Sequence, residues 1–301
     1  MEIDRIELKR QAKERMDLTQ PRFWVVALAF LAMTTGVSWL VSLIPLPSAG
    51  PGPIPVFDLN LFFQLLLMLY TTVVRFGLCL WALWTYRQLD PDVNALTQGF
   101  SVAGRVIIME LGIYLRVLGW YFLVSMFLSM PVMILLLTDS GAGLGLFSLL
   151  IFFAGLLATI IILRLRFALA PYLLADRPDD GPTLPIRRSA ALMRGWKWDL
   201  FKLEFSFIGW DLINLALSSG VTAFFLHRAG LLTPDIFLDE ALFVQAMNVI
   251  YSAPVVILST LVTVPISLWL LPYRSTARAG FYDARMLAVP TGTNMPQMPP
   301  L

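Results

Sequence analysis

Long apolar runs separated by short charged or breaker-rich segments organise this chain. The first run, at about 23–44, is uncharged and has Trp24 and Trp39 towards its ends. A second, at about 59–84, closes on Trp81, Trp84, Tyr86 and Arg87. The third apolar region opens near Val106 and ends at Thr138, which is longer than one perpendicular crossing needs, and its early part holds Glu110 and Arg116. The crossing is therefore placed at 117–137. Gly141, Gly143 and Gly145 then predict a short turn, and a fourth run, at 144–163, stops at Arg164 and Arg166. The fifth, at 205–226, is entered through Trp196 and Trp198. The sixth, at 243–271, lies in a stretch interrupted by Pro254 and Pro265. Its pieces are too short to cross separately, so the prolines predict a kinked or two-part helix. About 20 apolar residues traverse the hydrocarbon of a bilayer. The pattern thus predicts an all-α, polytopic membrane helix bundle of about six transmembrane helices over 21–285, with short amphipathic cytoplasmic helices.

Between the runs lie segments of a different character. In residues 1–20, Leu8, Ala12 and Met16 recur at helical spacing among alternating charges. This predicts a weakly amphipathic helix, either lying along the membrane surface or simply solvated ahead of the first span. The Pro/Gly-rich stretch from Pro45 to Pro55 cannot continue a helix. In the long polar segment from Arg164 to Lys197, breakers around Pro178 and Pro182 precede a short helix starting after Thr183. On it Ile186, Ala190 and Met193 share a face, with Arg187, Arg188 and Arg194 elsewhere. The tail, 286–301, is rich in proline and reads as disordered.

Composition strengthens this picture. The 301 residues are 58% hydrophobic and 14% charged, where a soluble domain has nearly a quarter of its residues charged. The net charge of +2 matters through its placement. Basic residues concentrate in the N-terminal segment, the Arg87–Arg105 loop, the Arg164–Lys197 loop and the end with Arg274, Arg278 and Arg285; the alternate loops share a single Arg228. That bias predicts a multi-pass protein with both termini cytoplasmic, and six crossings satisfy every loop at once. One cysteine, Cys79, rules out an intrachain disulfide framework, and a single histidine, His227, leaves little scope for zinc or histidine-base chemistry. Cys79 reads as a small buried hydrophobe and His227 as an interface residue.

Two charges lie inside spans, Arg75 in the second and Asp211 in the fifth, each roughly 10 Å from its cytoplasmic end. Charges at that depth need partners, and opposite signs at similar depth predict that the two approach each other or share one polar cavity. Glu204, Asp211, Asn214 and Ser218 follow at spacings of seven, three and four, a polar stripe on one helical face. Such a stripe either lines a hydrated path or glues helices together. The basic helix with Arg187, Arg188 and Arg194 suits anionic lipid headgroups, or simply marks topology. No catalytic motif, metal cluster or cofactor fingerprint is present to propose, and the partners expected are the bilayer and anionic phospholipid, not nucleic acid.

Several stretches together resemble a known family. They are Arg5-Ile-Glu-Leu-Lys-Arg-Gln-Ala-Lys13, Ala168-Leu-Ala-Pro-Tyr-Leu-Leu-Ala-Asp176, Ser189-Ala-Ala-Leu-Met-Arg-Gly195, and Trp198 through Phe-Ile-Gly-Trp210, followed by Pro272-Tyr273 and Phe281-Tyr282. In this order, from Arg5 to Arg285, the chain resembles a bacterial integral membrane protein family catalogued as domain of unknown function 975. It departs from the family pattern before the first span, at Thr19-Gln-Pro-Arg-Phe-Trp24, and in an expanded region from Trp120 to Leu163. The resemblance implies a bacterial cell membrane and a multi-helix bundle, and it supplies no activity. Three functions stay open on the residues: a non-enzymatic scaffold, assembly or lipid-interacting protein; a transporter or channel with a path near Arg75 and Asp211; and a membrane-embedded lipid-modifying enzyme.

Overall fold

Local signals set where the helices begin and end. The computed structural model describes residues 4–42, 59–89, 91–137, 142–233, 236 and 239–288. Helix α1 (Arg5–Asp17) starts at Asp4, whose carboxylate accepts from the Ile6 amide at 2.8 Å. Glu7, Arg10 and Glu14 pair along its outer face. Helix α2 (Phe23–Leu31) continues through a π-turn at Ala32–Gly36 into α3 (Val37–Ser42). Then come α4 (Leu59–Arg87), α5 (Ala95–Gln98) and α6 (Ala103–Leu137). After them are α7 (Ala142–Phe167), α8 (Ala170–Asp176), α9 (Leu184–Leu192) and α10 (Lys197–Phe205). Helices α11 (Ile208–Arg228), α12 (Glu240–Ile250) and α13 (Ala253–Leu287) complete the chain, and no strand occurs among the described residues.

Among the described residues, six helical stretches are long and apolar enough to cross a membrane: Phe23–Val41, Leu61–Arg87, Ala95–Ile134, Phe147–Asp176, Ile208–Arg228 and Ala253–Leu287. The fold is an all-α polytopic bundle. Outward-facing apolar side chains such as Phe127, Leu150, Phe153 and Leu215 are all more than half exposed, an arrangement that suits lipid and not water.

The bundle is tightly packed at one end. Its core joins Leu8, Ala12 and Met16 of α1 to Val74, Leu78 and Trp81 of α4, Tyr172 and Leu173 of α8, Leu200 and Leu203 of α10, and Tyr273, Ala277 and Phe281 of α13. All these elements meet at the basic end, and the region is called the hub below. Helix α1 packs on α13, so the two described ends of the chain lie on the same side, as an even number of crossings requires.

Several expected elements differ in position. The apolar face of α1 packs inside the hub, where Ala12 and Met16 are 0% exposed, while its charged face stays exposed. The third apolar region forms one unbroken helix from Ala103, about 52 Å long at the helical rise, and its early part packs in a small cluster with Phe76, Phe167, Leu174 and Ile186. Gly143 and Gly145 lie within α7, not in a turn. The sixth apolar stretch does divide, at Tyr251 and Ser252, where Ser252 turns extended and Pro254 occupies the first turn of α13. Its second part does not stop at Leu271; it runs through Pro265 and Pro272 to Leu287. Packing of the residues beyond Pro272 outweighs the one backbone hydrogen bond that proline removes. The expected loop at 45–55 and the tail beyond 288 lie outside the described residues.

Close approach at the hub is fixed by glycine. A Cβ at Gly77 would lie 2.7 Å from Leu96 Cα, against backbone that cannot turn aside. One at Gly280 would lie 2.5 Å from the Tyr86 ring. By contrast, nothing lies within 4 Å of a Cβ at Gly104, in the first turn of α6. Gly77→Ala is expected to lower the thermal midpoint of the detergent-solubilised protein strongly, at a cost of about 2–3 kcal/mol from overpacking. Gly104→Ala should leave it unchanged or slightly raised. Equal midpoints for the two variants would contradict this account of the hub.

Candidate functional site

The hub gathers two clusters of paired charged side chains. On α13, Arg274 and Arg278 are one turn apart and point at Glu204, at the end of α10. Arg274 Nε donates to Glu204 Oε2 at 2.7 Å, Arg278 Nη2 to the same oxygen at 2.8 Å, and Arg278 Nε to Oε1. The Glu204 side chain is 13% exposed. Burial pushes its carboxyl up, but hydrogen bonding to Arg278 and the charges of Arg278 and Arg274 more than offset this, leaving it below its ordinary value. Arg274 also reaches Asp211, in the first turn of α11, at 3.2 Å.

A second cluster lies on the other side of α13. Arg87, at the end of α4, donates to Asp176 of α8 at 2.5 Å and to Asp283 of α13 at 2.7 Å. Tyr282 donates its hydroxyl to the same Asp176 at 2.8 Å and stacks on Tyr172. Helix α1 is fastened separately. Its Lys9 donates to Ser206 at 3.2 Å and lies 4.7 Å above the Phe207 ring. Burial, with some repulsion from Arg5, pulls the Lys9 ammonium below its ordinary value. Arg15 covers the Tyr86 ring and donates to the Tyr86 carbonyl, and the Tyr86 hydroxyl donates to Gln11 at 2.8 Å. A shallow cavity of about 340 Å³ opens beside Arg15, Thr19, Thr85 and Gln88 and includes neither Arg75 nor Asp211.

The side chains singled out from sequence are placed as follows. Asp211 is paired with Arg274 and not with Arg75. Arg75 instead acts on Glu110 of α6, as does Arg164 of α7, and α4 packs against α6. Helix α11 packs chiefly along α13, which equal depth alone does not reveal. The stripe is also divided: Ser206 and Phe207 separate α10 from α11, so Glu204 belongs to one helix and Asp211, Asn214 and Ser218 to the next. The last three share the half-buried face of α11, and Asn214 Oδ1 is buried without a protein donor. Arg188 is held by Asp180, while Arg187 and Arg194 are exposed. Cys79 is half-buried in α4 and His227 exposed at the end of α11. Among the described residues, no three histidine, cysteine or acidic side chains gather as a metal site.

The segments that carried the family resemblance converge in this hub: α1, α8, α9, α10 and the second half of α13. Residues 1–286 match the family described as Protein of unknown function (DUF975). The chain belongs to the DUF975 family. No curated protein and no solved structure matches it. In this DUF975 chain, sequence reasoning missed Arg87, Asp176, Asp283, Arg274 and Arg278 as partners. A signal was present: Leu270, Tyr273, Ala277 and Phe281 keep helical spacing beyond Pro272, and Arg274 and Arg278 lie beside that stripe.

Two outcomes follow from the pairing. Glu204→Gln leaves two arginines facing a neutral amide and is expected to destabilise the DUF975 protein by about 3 kcal/mol, whereas Arg10→Ala, at an exposed pair, should cost about 0–1 kcal/mol. Because the folded carboxyl of Glu204 is below its ordinary 4.5, its contribution is complete above that pH and is lost as pH falls through the folded value. Thermal midpoints measured against pH for wild type and Glu204→Gln should therefore converge in acid; parallel curves would refute the clamp. In a double-mutant cycle, Asp211 and Arg274 should couple by about 1 kcal/mol and Asp211 and Arg75 by about zero. Coupling to Arg75 would restore the pairing expected from sequence.

Proposed function

We propose that this protein is a non-enzymatic, multi-pass component of the bacterial inner membrane with a scaffold, assembly or lipid-interacting role. The observation that carries the reading is how the hub uses its charges. Arg274, Arg278, Glu204 and Asp211 pair across α10, α11 and α13, and Arg87, Asp176 and Asp283 across α4, α8 and α13, inside apolar packing. Groups so engaged hold helices in register, and none is presented to a cavity as a nucleophile or general base. The lipid-facing helices, by contrast, leave broad apolar surfaces for other membrane components.

The hub is assigned to the cytoplasm, with both termini. Helix α1, the segment after Arg87, the Arg164–Lys197 segment and the end of α13 meet there, and they carry most of the basic residues. Arg187 and Arg194, exposed beside α9, are in position to meet anionic headgroups at that surface. A second reading, a transporter or channel, is favoured by one observation: the half-buried Asp211, Asn214 and Ser218 line one face of α11, with the Asn214 carbonyl unpaired. In that reading the stripe is a wet path; in the first it is helix-to-helix glue.

Cysteine labelling separates the two. In a Cys79→Ala background, the variants Asn214→Cys, Ser218→Cys and Arg194→Cys are exposed to a membrane-impermeant maleimide from each side of sealed vesicles. The scaffold reading expects Asn214→Cys and Ser218→Cys to stay unlabelled and Arg194→Cys to react from the cytoplasmic side alone. Labelling of both stripe positions would replace it with a polar path, and reaction of Arg194→Cys from outside would invert the topology.

A further inference from the structure

Arginine is treated in two ways in this protein. Arg87, Arg274 and Arg278 are closed on carboxylates, whereas Arg75 and Arg164 are exposed, and among the described residues neither comes within 4.0 Å of a carboxylate. Yet the two share one place in the fold. Phe76 of α4, Val106 and Met109 of α6 and Phe167 of α7 are buried together in a small cluster. Arg75 precedes Phe76, Arg164 lies one turn before Phe167, and Glu110 lies one turn after Val106. The three charged positions therefore lie beside the same packed cluster, and Arg75 and Arg164 are the cations that act on the Glu110 carboxyl.

The level of this group in the bundle is also defined. Towards the distal end, Leu69, Leu111 and Ile162 are exposed apolar residues on the same three helices. Towards the hub, α4 becomes buried from Val73 and α7 from Leu163. Arg75 and Arg164 thus lie where lipid-facing surface gives way to the hub, the level of headgroups at a membrane boundary. Two cations to one carboxylate leave this site net positive there. An exposed arginine at such a depth needs a partner from outside the chain, and a phosphodiester matches the guanidinium fork in geometry and charge.

We propose that Arg75 and Arg164 together hold the headgroup phosphate of an anionic phospholipid, with Glu110 between them limiting the affinity. A zwitterionic headgroup brings its own ammonium to a site that is already cationic, so lipids of net negative charge are preferred. The site does not depend on the scaffold reading; a transporter with the same fold would carry it too.

The test is native mass spectrometry of the full-length protein, released from bilayers holding phosphatidylglycerol and phosphatidylcholine in equal amounts. Wild type should retain phosphatidylglycerol selectively. At roughly fivefold per arginine, Arg75→Gln with Arg164→Gln should lower that retention by on the order of thirtyfold. Arg187→Gln with Arg194→Gln should leave it within about twofold, and Glu110→Gln should raise it by about fivefold. Because Arg75 and Arg164 make no ion pairs, the double variant is expected to fold; if it is not recovered, Glu110→Gln decides, and unchanged retention there overturns the proposal. Unchanged retention in the Arg75/Arg164 variant overturns it equally. So does loss in the Arg187/Arg194 variant of the size expected for Arg75/Arg164, which would move the lipid to α9. Displacement of the retained lipid by excess inorganic phosphate would show a general anion site, and would also overturn it.

Discussion

The pairing of Glu204 with two arginines of α13 is the constraint from which much of the hub follows. A carboxylate that is 13% exposed is tolerable only when its oxygens are engaged, and Arg274 and Arg278 engage both. Once α13 is fixed to α10 in this way, its next turn presents Asp283 and Tyr282 to Arg87 and Asp176. Helix α13 is thereby tied to α4, α8 and α10 by charge as well as by apolar packing. Gly280 allows Tyr86 to lie directly against α13, which brings α4 close enough for the Arg87 contacts. Helix α1 then closes the arrangement with its buried Ala12 and Met16, held by Lys9 and Arg15.

This distribution of packing divides the molecule physically. At the hub, large side chains such as Trp81, Phe207 and Tyr282 are fully buried, so removal of apolar surface from water contributes to stability in the usual way. Away from it, apolar residues such as Phe127 and Phe153 face outward, where lipid is as apolar as the protein and no comparable driving force joins the helices. Rigidity is therefore expected at one end and freedom to repack at the other.

The fate of the charged residues within spans follows from the same division. Asp211 lies close enough to the hub to join Arg274, so its charge is absorbed by the fold. Arg75, on α4, acts on Glu110 of α6 instead and is exposed.

Hydrophobic patterning alone determined much of this architecture. Apolar runs of about 20 residues require crossings, basic loops on alternate sides require an even number, and Ile186 and Met193 were legible as a buried face because helical spacing repeats locally. Leu8, Ala12 and Met16 were equally legible as one face, but what that face meets was not, since lipid, water and protein all accept so short a stripe. The choice of ionic partners was decided by tertiary structure. Glu204 and its arginines are 70 and 74 residues apart, and sequence gives the depth of a charge but not the direction in which its helix turns it. Depth made Arg75 and Asp211 look like partners; the packing of α11 along α13 gave Asp211 to Arg274 and left Arg75 exposed on α4.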